Sequence, residues 1–178
     1  MKARSLLVMI AAAGVLTLGI EGTASADTTG VTSATITVTG GSLSITVPTD
    51  AGNLGTQTNS VLGGTISGPL GQVQVNDARG AAAGSGWVTS VISTAFTPPA
   101  GPAIPALNVG YSAGTIVKVG TATYVANNPG NLTAVNPAVT ATGITGDNSA
   151  TWNPTISVFV AGGMASGIYS ATITHSVL

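Results

Sequence analysis

The chain has 178 residues, 25 of them glycine and none cysteine, with four Lys or Arg against five Asp or Glu and a net charge of −1 at pH 7. Beyond residue 26 only Arg79 and Lys118 are cationic, too few and too far apart to displace counterions from nucleic-acid phosphates. No cysteine means no disulfide framework and no thiolate metal site, and so few charges leave little acid–base machinery, so the solvated faces have to be built from Thr, Ser, Asn and Gly.

Residues 1–26 have the layout of a secretory signal peptide. Lys2 and Arg4 form a positive start, residues 6–20 are apolar, and Ala24-Ser25-Ala26 is a small-x-small cleavage site. The apolar run is short for a membrane span. The expected product is an exported domain, residues 27–178, with no membrane span in the mature chain. Its charged residues are Asp27, Asp50, Asp77, Arg79, Lys118 and Asp147, which sum to −2.

Residues 31–38 alternate Ala34, Ile36 and Val38 against Thr35, Thr37 and Thr39. Gly40-Gly41 then reads as a tight turn into a second alternating run, Leu43, Ile45 and Val47, so a hairpin is expected here. Pro48 closes it, and residues 50–64 are loop-like. Residues 72–75 and 87–94 read as two strands joined by the Asp77-Ala78-Arg79-Gly80 corner and a Gly/Ala/Ser loop. Residues 97–105 hold four prolines and form a surface loop. Residues 107–111, 115–125, 155–161 and 168–177 read as strands, and residues 127–137 as loop. Residues 138–144 have no clear period, and residues 146–149 read as a turn. In the last strand, Tyr169, Ala171, Ile173, His175 and Val177 share the face that should look inward.

No segment beyond the signal shows a 3.6-residue apolar period. About eight short strands with turn signals between them predict an all-β fold: a single antiparallel β-sandwich, Ig-like in architecture, with a small barrel as the alternative.

Each chemistry-bearing residue has a functional and a structural reading. Trp87 and Trp152 offer apolar rings with one polar handle, suited to a sugar face. Trp87 lies in a run that is apolar on both faces, which favours the core. Trp152, between a turn and Pro154, is expected at a strand edge and partly exposed. Asp77 and Arg79 fall on one side of an extended strand, as a partner-binding fork or as an internal ion pair. His175 has no cysteine or glutamate near enough in type to make a zinc site, and no nucleophile motif accompanies it. Asp147-Asn148 supplies one carboxylate where calcium takes several oxygens. No catalytic residue, cofactor or metal is expected.

Taken together, these residues resemble the WxL family of bacterial surface proteins in the small secreted form found in actinobacteria. Asp77-Ala78-Arg79-Gly80 and Gly86-Trp87-Val88 match an Asp-x-Arg-Gly corner followed by a Gly-Trp-x-Leu strand, with Thr89 where the motif has leucine. Residues 169–177 match the C-terminal Tyr-x-x-x-Leu-Thr-Trp-x-Leu strand, with His175 where that motif has tryptophan. Gly40-Gly41-Ser42-Leu43 and Thr151-Trp152-Asn153-Pro154 extend the similarity over most of residues 27–178. The resemblance implies a non-enzymatic protein of the cell surface that associates non-covalently with peptidoglycan. Its candidate wall-contact residues are Trp87, Trp152, Tyr169, His175, Asp77 and Arg79, and its partner a cell-wall glycan or another surface protein. A subunit of a surface fibre or coat, assembling through strand edges, is the alternative.

Overall fold

A computed structural model describes residues 30–178, and the expected signal peptide, residues 1–26, lies outside the described residues. The chain divides into two units, Met1–Thr37 and Val38–Leu178. Of the first, residues 30–37 form no strand or helix and are exposed throughout.

The second unit is the antiparallel β-sandwich that the alternation predicts. Its eight strands are β1 Leu43–Thr46, β2 Gly64–Pro69, β3 Val73–Ser93, β4 Val109–Ser112, β5 Val117–Ala126, β6 Asn136–Trp152, β7 Thr155–Val160 and β8 Ile173–Val177. The larger sheet runs β1-β3-β6-β5, with β8 also paired to β3; the smaller runs β2-β7-β4. β1 pairs with the first part of β3, from Gln74 to Asp77, and β8 with its last part, from Thr89 to Ser93. The two short strands therefore share one side of β3, and β6 takes the other.

Period-2 alternation sends one side of each sheet inward. Val73, Val75, Trp87, Val91, Ile144, Ala150 and Trp152 of the larger sheet join Val109, Tyr111, Ile156 and Val158 of the smaller in one buried cluster. Burial at about 1.5–3 kcal/mol per large apolar side chain makes this interface the main stabilising term. The alternation expected for the last strand holds: Ile173, His175 and Val177 are partly buried, and Thr174 and Ser176 are exposed.

Three expectations are corrected. The hairpin between residues 31–38 and 43–47 does not form. Leu43 and Ile45 instead face inward on a strand paired to β3, and Gly40-Gly41 lie against the β3 backbone. The Gly41 amide donates to the Ala78 carbonyl, and a Cβ on Gly40 would stand 2.7 Å from the Arg79 carbonyl oxygen. These glycines serve close approach of two backbones, not a turn.

The stretch expected as two strands and a loop is a single strand of 21 residues. Its partner is β6, of 17 residues, which also takes in residues 138–144 and the expected turn at 146–149. The ladder between them shifts register at four places, from Asp77/Ala81 to Thr89/Ser90. Gly80 (φ +62°) and Gly146 (φ +71°) take the left-handed backbone that such bulges require. The glycines that suggested a loop are thus what lets one long strand bend. β2 was also not anticipated; its last residue is Pro69, at home on an edge strand.

Candidate functional site

The bent middle of β3 and β6 gathers most of the polar side chains singled out from the sequence. Asp77 is fully buried, and Arg79 folds back over it. Arg79 donates from Nε to Asp77 Oδ1 at 2.8 Å and from Nη2 to Oδ2 at 2.9 Å. The side chain of Arg79 is 38% exposed against 0% for Asp77, so the pair has a dry carboxylate and a half-wet guanidinium. The hydrogen bonds from Arg79 hold the Asp77 carboxyl below its usual range despite burial, and Asp77 in turn raises Arg79. This is the internal ion pair that i, i+2 spacing on a strand allows.

Asn148 of β6 extends the network. Its Nδ2 donates to Asp77 Oδ2 at 3.2 Å. Its Oδ1 accepts from Trp87 Nε1 at 3.0 Å and from the Tyr124 hydroxyl at 3.2 Å. The Trp87 and Tyr124 rings meet at 5.7 Å between centroids, and the Lys118 ammonium stands 5.8 Å from the Tyr124 ring. Burial raises the Tyr124 pKa, with the Asp77 charge adding to it. Asp147, next in the chain, points outward and accepts the Gly80 amide at 2.9 Å.

A second chain of bonds crosses between the sheets. Trp152 Nε1 donates to the Tyr111 hydroxyl at 2.8 Å, and that hydroxyl lies 3.3 Å from His175 Nε2. An indole can only donate, so the Tyr111 oxygen accepts from Trp152 and its own proton is free for Nε2. With the His175 proton on Nδ1, Nε2 accepts that hydrogen bond; with it on Nε2, the ring donates to the hydroxyl oxygen instead. Burial lowers the His175 pKa to about 4 and raises that of Tyr111 to about 12, so both are neutral at pH 7. Tyr169 is partly buried and donates to the Ala165 carbonyl at 2.8 Å.

Trp87 and Trp152 are each 2% exposed. The partial exposure expected for Trp152 is corrected: it ends a strand with its ring turned inward under Tyr111. Neither indole offers surface to a glycan. Thr89 is fully buried, and its hydroxyl both donates to the Val139 carbonyl at 3.2 Å and accepts the Val139 amide at 2.9 Å, closing the ladder where its register slips. A leucine there would leave both backbone groups without that partner.

The network uses three residues the sequence reading did not assign to it: Asn148, Tyr124 and Tyr111. Asn148 was legible in principle, since Asn148, Ala150 and Trp152 follow period 2 into the core. Every buried side-chain polar atom among the described residues has a partner, and no group of three or more His, Cys, Asp or Glu gathers there to hold a metal. An open depression beside the corner is lined by Val38, Thr39, Gly40, Arg79, Gly80 and Asp147. Its two charged side chains are already engaged, Arg79 by Asp77 and Asp147 by the Gly80 amide.

Outside the networks, the outward side of the larger sheet carries no charge across β1, the first part of β3 and the last part of β6, where it is polar, and turns apolar on β5 at the exposed Val117 and Val119. Thr46, Gln74 and Thr151 lie side by side across β1, β3 and β6, and Ser44, Asn76 and Ser149 form the next row. Comparison of the chain with protein-family models, with curated proteins and with solved structures found no match.

Proposed function

We propose that the chain is a secreted cell-surface protein, WxL-like, whose sandwich associates non-covalently with cell-wall glycan and carries out no chemistry of its own. The observation that carries this reading is the pair of hydroxyl and amide rows on the larger sheet. Strands about 4.8 Å apart set three side chains over about 10 Å in each row. Such rows exchange hydrogen bonds with sugar hydroxyls and peptide amides without stripping water from a charge. The internal bonding of Asp77, Arg79 and His175 supports it. The signal-like start of the sequence and the ordered match to the WxL motifs support the location.

Co-sedimentation with purified cell walls tests it. The Gln74→Ala/Asn76→Ala double variant alters exposed side chains only, so its melting temperature should stay unchanged while the wall-bound fraction falls severalfold. Unmodified protein that stays in the supernatant would sink the proposal. Substituting Trp87 or Trp152 is no test of binding, because both hold the core.

A second reading, a subunit of a fibre or coat, is favoured by the free edge of the larger sheet. Among the described residues β5 pairs with β6 alone, and Val117 and Val119 on it are 65% and 66% exposed.

A further inference from the structure

We propose that residues 31–38 of one copy add as a strand to the β5 edge of a second copy, linking sandwiches head to tail. This rests on the fibre or coat reading and names the partner of its edge.

Two observations made independently point to it. The first is an acceptor. Of the strands at the sheet edges, β1 has four residues, β8 five, and β2 six ending in proline. The flank of β4 is taken: Tyr111 donates its amide to Pro129 and Ala113 donates its amide to Asn128 Oδ1. β5 has ten residues and, among the described residues, no partner on its outer flank. An edge of that length with exposed valines is a template for another strand.

The second is a donor. Residues 31–38, Val-Thr-Ser-Ala-Thr-Ile-Thr-Val, carry the alternation of a half-buried strand, yet form none. Ile36 is 91% exposed and Val38 87%. Eight residues of strand span about 26 Å, within the roughly 33 Å of β5.

The chemistry of the two matches. With Ile36 and Val38 turned toward the core side, they would lie next to Ala122, Tyr124 and Ala126 of β5, which are partly buried at the rim of the core. Thr35 and Thr37 would then continue the outward threonine face beside Thr121 and Thr123. The donor has no charge and β5 has only Lys118, so nothing repels. The donor comes from another copy because Gly40 and Gly41 are held on Ala78 and Arg79, at the opposite side of the sheet from β5, with β3 and β6 between.

The chain has no cysteine, so single cysteines report contacts cleanly. Thr37→Cys and Thr123→Cys, which the pairing sets on the same outward face, both alter exposed positions and should leave the melting temperature unchanged. Mixed and treated with a short thiol cross-linker, they should give a covalent dimer at least about tenfold above either variant alone. Light scattering should show concentration-dependent oligomers of the unmodified protein, and Ile36→Asp should abolish them. Cross-linking of Thr123→Cys to itself would overturn the donor segment while leaving assembly through β5 standing. A protein that is monomeric at every concentration and gives no cross-link overturns both.

Discussion

Asn148 is the residue on which the buried network turns, because one amide satisfies an acid, an indole and a phenol. Asn148→Ala leaves Trp87 Nε1 and Asp77 Oδ2 each short of a partner, and should cost about 2–3 kcal/mol in denaturant unfolding. The Asp77–Arg79 pair should respond asymmetrically. Arg79→Ala strands a dry carboxylate and should cost about 2–4 kcal/mol, whereas Asp77→Asn leaves a guanidinium that still reaches water and should cost less. His175 sets the response to acid. Its folded pKa is lowered to about 4, while the unfolded residue titrates near 6.5. The unfolded chain therefore takes up the proton first as pH falls. Stability should be intact above about pH 6.5 and decline toward pH 4, by at most about 3 kcal/mol, and His175→Gln should flatten that slope. Below it, protonation of Asp77, whose pKa is also lowered, continues the loss.

At the scale of elements, the glycines divide the legible from the illegible. Where alternation ran unbroken, as over Ile173–Val177 of β8, both the strand and its inward face could be read from sequence, though not its start, expected at residue 168; β7 was legible as a strand from its apolar run alone. The central position of the Trp87 run could be read too, because a strand paired on both sides and covered by a second sheet is apolar. Where glycine interrupted the alternation, two meanings compete. Gly80 and Gly146 look like loop residues, yet they are bulge positions that let β3 and β6 stay paired while bending. Gly40-Gly41 looks like a hairpin turn, yet it is a contact between backbones. Local sequence cannot separate these, because the partner that decides lies more than 35 residues away in each case. Period 2 turns Asn148 inward, but distance hid its partner, since Asp77 lies 71 residues earlier in the chain. Gly40→Ala should lower stability by about 1–3 kcal/mol, since its methyl meets a carbonyl oxygen that is part of β3 and cannot move alone. A melting curve of that variant checks it.

For the whole molecule, the placement of β1 and β8 matters most. Both run antiparallel to β3, and they lie on the same side of it. β1 starts opposite Asp77 and runs outward to Gln74; β8 starts opposite Ser93 and runs inward to Thr89. The sandwich thus begins and finishes at the waist of β3, Gly41 beside Ala78 and Leu178 beside Val88. A permuted chain that joins Leu178 to Gly40 through about ten flexible residues, and opens instead at the proline loop of residues 97–105, should keep a cooperative melt near that of the parent. The same placement fixes how the body answers to pulling. Tension between its ends lifts β1 and β8 off β3 one bond at a time, starting from the waist. Force taken up by the hydroxyl rows instead enters β1, β3 and β6 together at the Gln74–Asn76 end of the ladder, across three paired strands at once. Drawn by its ends the sandwich opens like a zip, and gripped by its broad side it resists like a plate.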